Sequence, residues 1–181
     1  SALERIASGD LQTYQRLREG SWEERKGTEI YREWFEYVSQ LPEGIREQCR
    51  VVDTAWTLKK AGNDPDYCAS IGSAMASGWL YLLDPMKARM AIPDVVNWIR
   101  DQKKLKPYVR FGMAQAAGEK ISKQFLQLEG IPIEDLQAEH VDIKTRLIPF
   151  ISNSSRGLVK LVGDVEKWRA FLDEATAFPS G

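Results

Sequence analysis

The densest group of side chains that could bind a ligand lies in residues 100–125. This segment carries seven basic and two acidic side chains, whereas the whole chain has a formal net charge of −1. Basic residues interleaved with aromatic rings suit a phosphate backbone whose bases stack on the rings. The sequence therefore predicts a nucleic-acid-binding site comprising Arg100, Lys103, Lys104, Lys106, Tyr108, Arg110, Phe111, Lys120 and Lys123.

The same basic residues also fit a solvated helix end, since lysines in the last turn of a helix interact favourably with the helix dipole. Arg110 is the residue that this alternative explains least well. On a helix that starts at Pro107, Arg110 shares the apolar face with Ala114 and Ile121. A guanidinium there needs an ion-pair partner or an exit to solvent, or it anchors a phosphate or a partner's carboxylate.

Patterns typical of catalysis and metal binding are scarce. The chain has one histidine, His140, and metal centres that need two or more imidazoles are therefore disfavoured. Its two cysteines, Cys49 and Cys68, cannot build a disulfide framework, and we expect both to be buried thiols. The phosphate-binding glycine loops and the Gly-x-Ser-x-Gly nucleophile motif do not occur. The sequence thus predicts no catalytic residue, no metal and no cofactor.

Apolar residues recur at helical spacing along most of the chain, and this period predicts an all-α fold. Residues 67–83 form a run of 17 residues without a charge. A membrane span needs about 20 predominantly apolar residues, so this run is interpreted as a central buried helix. Around it we expect a compact single-domain bundle of about eight helices that spans residues 1–181.

Capping residues and prolines set the expected helix starts. Helices are predicted to begin at Ser21, Pro42, Asp64, Asp84, Pro93, Pro107, Pro132 and Asp164, with the one from Pro107 continuing to about Leu128. Pro149 is expected to end or kink a helix, and residues 152–155 to form a loop or a cap. Four tryptophans on apolar faces are predicted core residues: Trp34, Trp56, Trp98 and Trp168.

Three functions follow from these features. The favoured one is a non-catalytic helical binding or assembly module that engages an anionic partner, most plausibly RNA or DNA, through residues 100–125. The alternative is a protein–protein adaptor with an aromatic and small-residue surface, which leaves a protein partner or self-association open. The third is an enzyme of unrecognised type that uses Arg110 with Asp94 or Glu119. Residues 1–20 lack the apolar block of a signal peptide, so we expect an intracellular protein, cytoplasmic or nuclear, with no membrane partner.

Overall fold

A computed structural model of the chain describes residues 29–45, 47–54, 67–114, 124, 126–136 and 142–178. These residues form a mixed α/β fold, so the predicted all-α bundle of about eight helices is wrong. The strands are β1 (Glu36–Val38), β2 (Gln48–Thr54), β3 (Tyr67–Ala76), β4 (Trp79–Arg89), β5 (Val109–Ala114), β6 (Ile133–Leu136) and β7 (Val159–Val162). The helices are a short 3-10 turn at Arg32–Trp34, α1 (Ile92–Leu105), α2 (Ile143–Ser155) and α3 (Val165–Ala177), and residues 124 and 126–128 are also helical.

All seven strands belong to one sheet with the order β1-β7-β4-β3-β2-β5-β6. Strand β3 is antiparallel to both of its neighbours, and the other pairings are parallel. Six strands therefore end at the same side of the sheet, which we call the carboxyl edge. Strand β3 begins at this edge.

Residues 67–83, predicted as a buried helix, form most of the β3–β4 hairpin. The run lacks charges because this hairpin lies inside the sheet, where both strand faces are largely covered and polar alternation is lost. Its turn is Ser77-Gly78, and both residues have positive φ angles, of 50° and 84°. Two central residues with positive φ form a two-residue hairpin turn, whose twist matches that of the antiparallel strands on either side. The signal for a hairpin was therefore the Ser-Gly pair in the middle of the run.

Three further predicted helices contain strands, and the helix start expected at Asp84 lies inside β4. Part of the helix expected from Pro42 is β2, and the start of the one expected from Pro107 is β5. The end of that helix is helical as predicted, at residues 124 and 126–128. The segment from Pro132 begins as β6, and its helix, α2, starts only at Ile143. Pro149 lies inside α2, and residues 152–155, expected as a loop or a cap, form its last turn. These segments are too short for their apolar residues to distinguish a helical period of 3.6 from a strand period of two. The structure shows that the period of two is the correct one.

The helices starting near Pro93 and at Asp164 are confirmed as α1 and α3. Asp164 caps α3, since its carboxylate accepts a hydrogen bond from the backbone N–H of Lys167 at 3.0 Å. No helix among the described residues is long and apolar enough to cross a membrane.

The helices divide the core between the two faces of the sheet. Helix α1 packs on one side, the α1 face, where Val95 and Ile99 cluster with Val52, Phe111 and Met113. Helices α2 and α3 cover part of the other side, the α3 face. There the core contains Ile30, Phe35, Leu82, Val159, Leu161, Trp168 and Leu172. The α3 face of β2, β5 and β6 keeps exposed side chains, which makes it the accessible part of the sheet.

The predicted core tryptophans have different surroundings. Trp168 is fully buried, and Trp34 and Trp98 are half-buried against the two main clusters. Trp56 and His140 lie outside the described residues. Cys68 is buried as expected, but Cys49 is exposed on the α3 face, so the prediction of two buried thiols is half wrong.

Candidate functional site at the carboxyl edge

Strand β2 joins the antiparallel and the parallel parts of the sheet, since it pairs antiparallel with β3 and parallel with β5. Open α/β sheets bind their ligands outside the carboxyl ends of the strands. Asp53 lies there, one residue before β2 ends. It is exposed, whereas Val52 and Thr54 on either side are buried. The buried neighbours anchor the backbone and so present the Asp53 carboxylate to solvent from a rigid strand.

The strand register places three residues in a row across the α3 face. Asp53 pairs with Ala69 of β3, and Ala69 pairs with Lys87 of β4. Directly paired residues share a face, so the carboxylate of Asp53 and the ammonium of Lys87 stand on either side of a methyl group. Their backbones are about 10 Å apart, which is two strand spacings. We call this arrangement the Asp53 row.

A tyrosine and a second cation adjoin the Asp53 row on the same face. Tyr67, the first residue of β3, pairs with Arg89, the last residue of β4. The Tyr67 ring centroid is 4.9 Å from Cζ of Arg89 and 5.0 Å from Nζ of Lys87. Cations at this distance from an aromatic ring are attracted to it. The edge therefore combines one exposed carboxylate, two cations and a tyrosine that is 47% exposed.

The nearby thiol of Cys68 is unreactive at neutral pH. Burial raises its pKa to about 11, with the charge of Asp53 contributing in the same direction. The thiolate is the reactive form of cysteine, so Cys68 stays protonated and unreactive at neutral pH. Cys68 therefore adds no reactive group beside the carboxylate of Asp53.

The donor atoms at the edge can be compared with what a magnesium ion requires. Proteins hold Mg²⁺ through one or two carboxylates, and water and substrate phosphates complete the octahedron. Asp53 supplies one carboxylate, while the residue level with it on β3 is Ala69. The described residues contain no cluster of three or more potential metal ligands. Among the described residues, Asp53 is the carboxylate at the end of β2 that would hold one magnesium ion, and water and phosphate would supply the other ligands.

Two other described carboxylates on this face, Glu134 and Glu174, are already paired. Glu134 of β6 accepts hydrogen bonds of 2.6 and 2.7 Å from Nε and Nη2 of Arg110. These contacts lower the pKa of Glu134 and raise that of Arg110. Glu174 of α3 accepts a 2.8 Å hydrogen bond from Nζ of Lys87. Asp53 is thus the edge carboxylate best placed to meet a ligand.

A second charged cluster ties α3 to the sheet behind the Asp53 row. The buried Arg50 side chain donates from Nη1 to Oγ of Ser70 at 3.2 Å and to the backbone carbonyl of Asp84 at 3.0 Å. Its Nη2 lies 3.6 Å from Oδ2 of Asp84, and Lys106 and Lys167 also donate to that carboxylate. Burial lowers the pKa of Arg50, and Asp84 partly offsets this effect. The cluster joins β2, β4, α1 and α3 and so fixes the position of α3 beside Lys87.

The pKa of Asp84 predicts a pH-dependent stability. Burial pushes this pKa upward, but the hydrogen bonds and charges of Lys167 and Lys106 together outweigh burial and leave it below its usual value. A depressed carboxyl pKa stabilises the fold above the unfolded-state pKa of about 3.9, and the contribution is lost as the pH falls through the folded-state pKa. Lowering the pH from about 5 through this range should therefore reduce the free energy of unfolding.

Asp84→Asn tests this prediction while preserving the backbone, because asparagine also tolerates the positive φ of 42° found at this position. We expect the variant to be less stable at neutral pH and to lose less stability on acidification than the wild type. Urea unfolding at several pH values measures both quantities. An unchanged pH dependence in the variant would assign the acid sensitivity to other carboxylates.

The structure divides the sequence-predicted binding residues between two faces of the sheet. Arg110 points to the α3 face and pairs with Glu134, whereas Phe111 is 1% exposed in the α1-face core and cannot stack on a base. The expected placement of Arg110 on an apolar helix face is wrong because, on a strand, it alternates with the buried Val109 and Phe111. Lys120 and Lys123 lie outside the described residues.

The remaining predicted residues lie at the end of α1 and just after it. Arg100 pairs with Glu129, Lys103 donates to the carbonyl of Val109 at 2.6 Å, and Lys104 lies 3.6 Å from Asp101. Lys106 bonds Asp84, and Tyr108 is 53% exposed. This group is at the amino end of β5, roughly 16 Å along the strand from the level of Asp53. Nucleic-acid binding by this group stays a prediction, separate from the carboxyl edge.

Asp53 was missed as a functional residue because helical spacing places it on a solvated face opposite Cys49 and Val52. The available signal was the sequence Val-Val-Asp-Thr at positions 51–54, in which β-branched residues surround one acid. Such residues are enriched in strands. A carboxylate at the end of a buried strand is a stronger functional candidate than one on a helix surface.

No protein-family model and no curated protein matches this sequence, but solved structures share its fold. The large terminase of a thermophilic bacteriophage superposes with a TM-score of 0.58 at 12% identity, covering 96% of this chain and 43% of that one. The chain thus spans less than half of that large terminase. The large terminase nuclease of thermophilic phage G20c with bound magnesium gives a TM-score of 0.54 at 14% identity, covering 84% of this chain and 81% of that one. The human cytomegalovirus terminase nuclease domain gives 0.52 at 11% identity, covering 74% of each chain.

These likenesses show the fold and correct the functional predictions that rested on a helical bundle. The prediction of a non-catalytic helical binding module is wrong, because the structures that share this fold include nuclease domains. For the same reason, the expectation that the chain is not an enzyme is contradicted.

Proposed function

We propose that this chain is a nuclease domain that cleaves phosphodiester bonds of nucleic acid at the carboxyl edge, with a divalent cation held at Asp53. The observation that carries the proposal is the exposed Asp53 carboxylate at the end of β2, in a fold shared with a nuclease that has bound magnesium. Nucleic acid is also the partner that the sequence predicts, and the nuclease neighbours support that part of the prediction.

Each described residue at the edge has a definable task. Asp53 is the residue that would hold the ion, and its buried strand neighbours keep the carboxylate in place. Ala69 lies beside it on β3, half-buried and with only a methyl group, so it obstructs a phosphate less than a larger side chain would. When bound, Mg²⁺ supplies charge stabilisation at the phosphate and lowers the pKa of a coordinated water. Since the described residues offer one carboxylate at this place, substrate phosphate is expected to complete the coordination.

A cleavage assay on the purified chain tests the proposal. Incubation with labelled linear DNA and Mg²⁺ should produce shorter fragments, EDTA should stop the reaction, and added Mg²⁺ should restore it. Single-stranded RNA in a parallel reaction distinguishes the two kinds of nucleic acid. Cleavage that persists in EDTA, or no cleavage of either substrate with Mg²⁺ present, would contradict the proposal.

A further inference from the structure

Lys87 lies at the carboxyl edge, where its side chain can reach a ligand. Its ion pair with Glu174 is a second, purely structural reason for a lysine at this position. Its side chain is 43% exposed, and its Nζ is held 2.8 Å from Oε2 of Glu174. An ammonium group has three N–H donors, and this bond uses one of them. Glu174 and the Tyr67 ring orient the ammonium, so little side-chain freedom is left to lose when a ligand binds.

The space between Lys87 and Asp53 suits a phosphate group. Ala69, which is half-buried and has a single methyl group, lies between them, and the two charged residues stand about 10 Å apart at the backbone. A phosphodiester placed next to the Asp53 carboxylate meets a like charge, which opposes its approach. A fixed ammonium on the far side of the same space offsets that repulsion, and Arg89 extends the positive charge along β4.

We propose that Lys87 is a positioning residue that binds a backbone phosphate of the nucleic acid and holds the strand across Ala69, next to Asp53. This inference rests on the proposed function for its substrate class, but it concerns binding and can be tested without cleavage. Lysine binds phosphate as a point charge, so the contact is independent of base sequence. Glu174 of α3 orients the Lys87 ammonium for this contact.

Lys160 provides a matched control. Its Nζ lies 2.6 Å from Oε2 of Glu36 and 5.1 Å from the Trp79 ring centroid, so it makes the same kinds of contact as Lys87. It pairs with Tyr81, near the start of β4, whereas Lys87 and Arg89 are near the end of that strand. Losing Lys160 therefore removes an ion pair and a ring contact away from the Asp53 row.

The test is fluorescence anisotropy of a labelled single-stranded oligonucleotide with the full chain in EDTA, over a series of salt concentrations. Lys87→Gln should weaken binding about tenfold, as expected for loss of a charged hydrogen bond. It should also reduce the slope of log affinity against log salt by about 0.7, which is one phosphate contact on a single strand. Lys87→Arg should keep most of the affinity and the slope, and Lys160→Gln should match the wild type.

The possible results separate this inference from the proposed function. Wild-type binding without Mg²⁺-dependent cleavage contradicts the nuclease but leaves the Lys87 contact supported if the variant shows the expected losses. An unchanged salt slope in Lys87→Gln overturns the inference, as does an equal loss in Lys160→Gln. Absence of oligonucleotide binding by the wild type at low salt overturns it as well. Urea unfolding of Lys87→Gln should show a midpoint close to that of the wild type, because exposed ion pairs contribute little to stability.

Discussion

Asp53→Asn should abolish most Mg²⁺-dependent cleavage while leaving the fold intact. The amide keeps the shape of the side chain but removes the charge that a divalent cation requires. Loss of a single preorganised electrostatic group at an active site typically costs about 10²–10³-fold in rate, and we expect a decrease of that size or larger. Initial rates of DNA cleavage at saturating Mg²⁺ measure the change.

Glu134→Gln is the matched control for Asp53→Asn. Glu134 is also an exposed carboxylate near the ends of the parallel strands on the α3 face, but it is paired with Arg110 of the neighbouring strand β5. Its neutralisation should change the cleavage rate little. Similar losses in both variants would indicate a general effect of negative charge at this edge, and a fully active Asp53→Asn would remove Asp53 from the mechanism.

The stability of Asp53→Asn separates a catalytic defect from unfolding. Asp53 is exposed, and substitutions at exposed positions usually change the free energy of unfolding by no more than about 0.5 kcal/mol. Binding of the oligonucleotide in EDTA should be kept or strengthened, because the variant removes a charge that repels phosphate. A variant that binds but does not cleave is the result that places Asp53 in the chemistry.

The sequence predicts the helices of this fold better than its sheet, and the reason is length. Helix α3 contains 13 residues and a side-chain cap at Asp164, so its period and its start are both unambiguous. Strand β5 contains six residues, in which Val109 and Phe111 fit a strand face and also a loosely defined helix face. The helix predicted from Pro107 to Leu128 therefore includes the residues of β5, because their pattern does not conflict with helical spacing.

The candidate site was harder to predict than the elements, because it exists only through strand pairing. Asp53 and Lys87 are far apart in the sequence, and no local pattern connects them. They become neighbours when β2 and β4 pair with opposite sides of β3 in one particular register. A shift of that register by one residue would place the two side chains on opposite faces. The basic segment at residues 100–125 could be found from the sequence alone, since charge density does not depend on strand register.

Trp168→Ala should be among the most destabilising single substitutions in the chain. Trp168 is fully buried in the α3-face core, as the sequence predicts, and its ring packs edge-on against Phe171 with centroids 5.6 Å apart. Its Nε1 also donates a 3.0 Å hydrogen bond to the backbone carbonyl of Val162. Large aromatic-to-alanine changes in cores cost about 3–5 kcal/mol, and the orphaned carbonyl adds to that cost. Urea unfolding monitored by circular dichroism measures the loss.

Two further variants separate packing from hydrogen bonding at Trp168. Trp168→Phe keeps much of the buried area but leaves the Val162 carbonyl without its donor. It should lower the free energy of unfolding by less than Trp168→Ala does, and the difference between the two losses measures the contribution of packing. Trp79→Ala is the control, because Trp79 is 37% exposed in the β3–β4 hairpin and its removal leaves no closed cavity. A loss below about 1 kcal/mol for Trp168→Ala would mean that α3 is not held to the sheet by this core. Because α3 also carries Glu174, loosening of that helix should weaken oligonucleotide binding through Lys87 even where the protein remains folded.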